Sequence, residues 1–134
     1  MQDIRWKQRF ENYRSALKEL GEFIERDELN KYEEQGLVKA FEYTYELAWK
    51  TLKDFLEYQG VEGIVGSRDA FRSAFNSEIV KDGHLWMSMI ESRNKTAHTY
   101  NKKTAEEIAD DVRERFYPAF RELESFFIER LGKA

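Results

Sequence analysis

Arginine, asparagine, histidine and tyrosine crowd into one short stretch, Arg93-Asn94-Lys95-Thr96-Ala97-His98-Thr99-Tyr100. An imidazole that titrates near neutral pH can exchange a proton with a ribose 2′-OH or with a leaving 5′-oxygen. A guanidinium can hold a phosphate through a fork of hydrogen bonds and stabilise the charge growing on it. Those are the parts that RNA cleavage without a metal requires. One histidine is poorly suited to be base and acid at once, so a symmetric dimer supplying two is attractive. On a helix, Asn94 and His98 stand four apart and share a face. Arg93 and His98 stand five apart, about 140° round an ideal helix. They converge only if the helix loosens near His98 or if two subunits share the site, and a break at Asn101 makes the loosening feasible. The plain structural reading is that a helix-end Arg and His cap carbonyls or reach for solvent.

The segment also stands out by charge. The chain carries a formal net charge of −4, which argues against a protein that coats nucleic acid without specificity. From Ser92 to Ala105 there is no acidic residue, while Arg93, Lys95, Lys102 and Lys103 are basic. The other 18 basic residues face 26 acidic ones, so a basic rim sits on an acidic body. Lys95, Lys102 and Lys103 are therefore candidate contacts for RNA or a nucleotide. A chance cluster on a solvated loop is the competing reading.

Long amphipathic helices must position these groups. The 134 residues suit a single domain, 1–134, large enough for a sizeable core. Hydrophobic residues make up 41% and aromatics 15%, with one proline and seven glycines, which predicts a packed helical fold. Trp6, Phe10, Tyr13, Leu17, Leu20 and Ile24 mark one face of a helix over about 3–26. Leu37, Phe41, Tyr45, Ala48, Leu52 and Phe55 mark a second over about 31–58, ended by Gly60. Ser67 is the expected N-cap of a short helix over 68–80, with Phe71, Ala74 and Phe75 facing inward. A fourth helix starts near His84, and its stripe of Met89 and Ile90 runs on into Arg93, Asn94 and Ala97. A buried face seldom continues into arginine unless it lines a cleft or an interface. Thr104 and Glu107 have capping-box spacing for a last helix over about 105–131, which Pro118 should kink without ending. The expected fold class is all-α, an up-and-down four-helix-type bundle with an additional short helix.

The same residues resemble a known family. Arg93-x4-His98 has the Rx4-6H form that is the signature of the HEPN superfamily, and Tyr100 extends it to the Rx4HxY form of HepT-like toxins. The run Phe41 to Lys50, the Ser67-Arg68-Asp69-Ala70 helix start, and Asp82-Gly83 before Trp86 resemble its nucleotidyltransferase substrate-binding branch. The resemblance covers nearly the whole chain. It implies a helical bundle, usually homodimeric, with Arg93 and His98 catalytic near the dimer cleft and Asn94 supporting them. It implies a metal-independent endoribonuclease of a toxin–antitoxin pair, without cofactor. Its partner would be a cognate minimal nucleotidyltransferase that silences it by transferring AMP to Tyr100. Each AMP would add a negative phosphodiester and a bulky base at the basic rim, repelling and blocking RNA.

Two other readings remain open. The chain could be a non-catalytic nucleotide- or substrate-binding subunit of a two-component nucleotidyltransferase, with Arg93 and Lys95 on a phosphate and Trp86 or Tyr100 stacked on a base. It could also be a structural bundle that docks a partner. The transferase itself is excluded, because its Gly-Ser and paired-Asp pattern is missing. The absence of cysteine excludes disulfides, thiolate zinc sites and a cysteine nucleophile. Without a signal-type segment at Met1 to Phe10 or an apolar run of membrane-spanning length, a cytoplasmic location away from the membrane is expected. Glu42 and Glu46 read as solvated or paired with Arg or Lys, His84 as solvent-facing, and Arg68 and Arg72 as a solvated helix face. Phe41, Tyr43, Tyr45 and Trp49 read as core and dimer packing.

Overall fold

In the computed structural model, which describes residues 2–132, the chain is helical and has no strand among those residues. The elements are α1 (Gln2–Ile24), α2 (Lys31–Tyr58), α3 (Ser67–Asn76), α4 (Gly83–Lys95), a 3-10 turn (Thr96–His98), α5 (Lys102–Asp111), a π turn (Val112–Phe116) and α6 (Tyr117–Gly132). The two long helices α1 and α2 pack along each other. Helix α6 closes on α1, while α3 and α5 pack on α2. Helix α4 bridges α3 and the α5–π segment.

Aromatic side chains at the expected helical spacing fill the middle. Trp6 and Phe10 of α1 meet Phe55 of α2 and Phe127 of α6 at centroid separations of 5.1–5.5 Å. Further along, Phe41 stacks on Phe116 at 5.6 Å, and Trp86 of α4 sits edge-on to Phe120 at 5.7 Å. Burial of such rings is the main source of stability in a bundle of this size. Tyr13 and Asp54 are polar exceptions in the core, and both are bonded. Tyr13 is fully buried and its hydroxyl donates to the Phe120 carbonyl at 2.7 Å, while burial, with Glu124 nearby, pushes the phenol well above its usual range. Asp54, 5% exposed, accepts from Arg9 Nε at 3.0 Å, which ties α1 to α2. The Tyr117 side chain lies over Gly21, where an added Cβ would come 2.7 Å from its hydroxyl.

The long helices match the sequence pattern, which is corrected at two caps and one buried position. Helix α2 carries a full capping box from Asn30 and Glu33. It ends in a Schellman motif: Gly60 sits at φ 95, and Val61 N donates to the Leu56 carbonyl at 2.9 Å. Ser67 is not the N-cap of α3. That place falls to Gly66, and the Ser67 hydroxyl instead accepts from Tyr45 Oη at 2.6 Å. Phe75 does not face inward; α3 ends at Asn76, and Phe75 remains 47% exposed beside Gly83. Thr104 is not a cap either. Asn101 takes that role, accepting from Lys103 N at 3.0 Å and Thr104 N at 3.4 Å, so α5 starts earlier, at Lys102.

The expected irregularity at Pro118 takes the form of a π turn just before it. Proline has no N–H, and its ring crowds the carbonyl four residues back. The chain loosens by one residue there, and Tyr117 N donates to the Val112 carbonyl, five residues back. The core stripe keeps its phase across the bulge: Ile108, Val112, Phe116, Ala119, Leu123 and Phe127 are all buried.

A local strain sits at the end of α3. Glu78 occupies the left-handed position of a second Schellman motif, at φ 62, with Ile79 N donating to the Ala74 carbonyl at 2.8 Å. Only glycine takes this conformation without a Cβ penalty. Glu78→Gly should therefore stabilise the fold by about 1 kcal/mol and raise the Tm by about 3–5 °C. A Tm unchanged or lowered in a thermal melt would contradict this.

Candidate functional site

Helix α4 brings Arg93 to the bundle, and α2 receives it. The apolar stripe of Met89 and Ile90 runs into Arg93 because the acidic side of α2 lies opposite. Arg93 Nε is 3.6 Å from Glu46 Oε1, and Nη2 is 4.0 Å from Glu42 Oε2. Nε is shut off from solvent, and its nearest carboxylate lies beyond hydrogen-bond length, so charge attraction holds it. Nη1 donates to Thr96 Oγ1 at 3.1 Å, and that hydroxyl in turn donates to the Arg93 carbonyl at 2.7 Å. The head is thus fixed from three sides, with a third of the side chain exposed. The guanidinium has five N–H donors, and these contacts leave donors for a ligand.

The carboxylates on α2 serve more than Arg93. Glu46 also accepts from Trp49 Nε1 at 3.0 Å and stands 4.0 Å from Lys50, and Glu42 stands 3.9 Å from Lys39. Of the aromatic run on this stretch, Phe41 and Tyr45 are buried and Trp49 is half-buried, but Tyr43 is 52% exposed under the Lys39 ammonium. Tyr43 is therefore not core. Burial raises the Tyr45 phenol, and the Ser67 hydrogen bond partly opposes that.

His98 reaches the surface because the helix changes pitch. Helix α4 ends at Lys95, and Thr96–His98 forms a 3-10 turn, which is the loosening the sequence allowed. The change also breaks the α-helical spacing from Asn94 to His98. Both are exposed, and no hydrogen bond joins them. His98 Nδ1 lies 3.5 Å from the Tyr100 hydroxyl, with the rings edge-on at 5.9 Å. No partner among the described residues occupies the other ring nitrogen. Tyr100 is 83% exposed, and Lys95, Lys102 and Lys103 are exposed beside it. Arg93 and His98 make no direct contact with each other within the chain. The segment from Arg93 to Lys103 thus carries a guanidinium anchored on α2, an exposed imidazole in contact with a phenol, and three exposed ammonium groups.

The charges at the two helix ends differ in kind. Arg93 and Lys95 end α4, where cations favour the helix dipole. Lys102 and Lys103 begin α5, where cations oppose it, and no acidic residue occupies that first turn. Helix stability alone accounts for the first pair but not for the second. Of the other residues weighed from sequence, His84, Arg68 and Arg72 are all exposed, and Arg68 reaches Met87 Sδ at 3.8 Å. Thr96 was missed as a functional residue. It is 7% exposed, and the only signal for it was a hydroxyl three residues after Arg93.

Comparison with known proteins identifies the family and the fold. The family model described as "Nucleotidyltransferase substrate binding protein like" matches residues 8–129, and the chain belongs to that family. A Haemophilus influenzae protein named probable ribonuclease HepT is 31% identical over 74 residues, 52% of this chain and 51% of that protein. The chain thus spans about half the length of that curated relative. A crystal structure from Thermus thermophilus superposes with a TM-score of 0.74 at 29% identity, covering 89% of this chain and 98% of that one. A second structure, from Haemophilus influenzae, has a TM-score of 0.67 at 20% identity and covers 94% and 98%. It is described as revealing the fold of a substrate-binding domain of a nucleotidyltransferase, and at that identity it shows the fold alone.

Replacing Arg93 tests the clamp. Arg93→Ala leaves Glu42 and Glu46 with only their ion pairs to Lys39 and Lys50. Stability should fall by up to about 1 kcal/mol, because the groups are partly exposed, and the loss should shrink in about 1 M NaCl. Arg93→Lys should recover little of it, since a point charge cannot serve two carboxylates and a hydroxyl together. Equal melting temperatures for wild type and Arg93→Ala at low salt would contradict the clamp.

Proposed function

We propose that this protein is a metal-independent endoribonuclease of the HepT type. The observation that carries the reading is an anchored Arg93 followed, five residues on, by an exposed His98 in a segment whose lysines are also exposed. In this account the imidazole takes the proton of a ribose 2′-OH, and the 2′-oxygen attacks the adjacent phosphorus. The P–O5′ bond breaks, and the 5′-oxygen leaves with a proton. A 2′,3′-cyclic phosphate and a 5′-hydroxyl result. Arg93 stabilises the added charge on the non-bridging oxygens, Asn94 supports the pair, and Lys95, Lys102 and Lys103 hold the flanking strand. A homodimer would bring a second His98 to act as the acid.

Silencing belongs to the same reading. A cognate minimal nucleotidyltransferase would transfer AMP from ATP to the Tyr100 hydroxyl: the phenol oxygen, losing its proton, bonds to the α-phosphorus and pyrophosphate leaves. That hydroxyl is exposed and lies 3.5 Å from His98, so the adduct would lie over the imidazole. The toxin–antitoxin role and the partner follow from this reading. Among the described residues, no helix is long and apolar enough to cross a membrane.

The family description supports a second reading, a nucleotide- or substrate-binding subunit without turnover. A single assay separates the two. Purified protein in EDTA should cut a labelled RNA to products ending in cyclic phosphate, and should leave the same sequence intact when every 2′-OH is methylated. No cutting of the unmodified RNA, together with saturable binding of a nucleotide by calorimetry, would favour the binding subunit.

A further inference from the structure

A cavity of about 440 Å³ opens beside the motif, between the start of α2 and the turn into α5. Its size falls in the range of ligand pockets, roughly 300–1,000 Å³. Tyr100 forms part of one wall, two residues beyond His98, and Lys31, Glu34, Gln35, Lys102 and Glu106 contribute to the rest. None of the α2 residues belongs to the motif. The fold alone brings them there.

The charges around it are unusual for helix starts. Lys31 is the first residue of α2 and Lys102 the first of α5, each a cation at the positive end of its helix. Lys31 is exposed and makes no ion pair among the described residues. Lys102 has only a loose pair with Glu106 at 3.9 Å, between side chains 89% and 51% exposed, which contributes little. Glu34 is less exposed. Burial raises its carboxyl first, then the nearby Glu106 and Asp110 do, with Lys102 opposing.

We propose that this cavity is a nucleotide subsite, in which Gln35 and Glu34 meet a base edge, Tyr100 stacks on the base, and Lys31 and Lys102 hold the adjoining phosphate at the rim. The acids make the interior unfavourable for a phosphate, so the base goes in and the phosphate stays with the exposed amines. The proposal rests on the RNA reading above and adds to it a site built largely from α2. A nucleotide seated here would lie next to His98. It can come from a bound RNA strand or from a free mononucleotide.

The test uses a fluorescein-labelled, fully 2′-O-methylated oligonucleotide, which binds without being cut. Its affinity is read by anisotropy for wild type, Lys31→Glu, Gln35→Ala and, as a net-charge control on α1, Lys18→Glu. All three positions are exposed, so unchanged melting curves should verify the fold. Lys31→Glu should weaken binding about tenfold and Gln35→Ala about threefold, with Lys18→Glu having little effect. Unchanged affinity in Lys31→Glu and Gln35→Ala, or equal weakening in Lys18→Glu, would overturn the subsite. Displacement of the probe by AMP that is sensitive to Gln35→Ala would support the subsite with a mononucleotide as occupant. No displacement, with the oligonucleotide effects intact, would support it with a strand. Cleavage of unmodified RNA by the wild type is scored separately, so the subsite and the nuclease reading can fail independently.

Discussion

The ion pairing of Arg93 with Glu42 and Glu46 fixes the end of α4 against the bundle. Those carboxylates stand one turn apart on α2, and α2 also packs against α1, α3 and α5. The guanidinium is therefore referenced to the centre of the bundle and not to a loop. Thr96 completes the hold and marks where the α-helix gives way to the tighter 3-10 turn. Because the pitch changes there, His98 and Tyr100 emerge on the surface while Arg93 stays half-buried. Preorganisation of this kind lets a cation act on a developing charge without reorganising first.

Much of this was legible in the sequence, because the helical period is a strong signal over long elements. The stripes of α1 and α2 predicted most of the buried residues, and the run of Met89 and Ile90 into Arg93 ends against the acidic side of α2. Caps were less legible. Ser67, Asn101 and Thr104 are all residue types that favour an N-cap, and local chemistry does not decide between neighbours. Tyr45 took the Ser67 hydroxyl, and Asn101 captured two N–H groups before Thr104 could act. Phe75 belongs to the last turn of α3 and lies outside beside Gly83, although its spacing from Phe71 is that of a buried stripe.

What pattern reading could not reach is long-range. The sequence offered Glu42 and Glu46 as paired with some Arg or Lys but could not name Arg93, about fifty residues away. Lys31, Glu34 and Gln35 gave no sign of belonging beside Tyr100, since only the packing of α2 against α5 brings them together. Local conflicts were the better pointer. Cations at the starts of α2 and α5 work against their helices, and such departures gather at functional sites.

The central claim is that His98 performs metal-free chemistry on RNA while Arg93 holds the phosphate. The most direct measurement compares turnover of a labelled RNA by EDTA-treated wild type and by His98→Ala, purified identically and matched by circular dichroism. The account predicts cleavage by the wild type and a loss of at least about a hundredfold in the variant. Equal cleavage by the two proteins would contradict it.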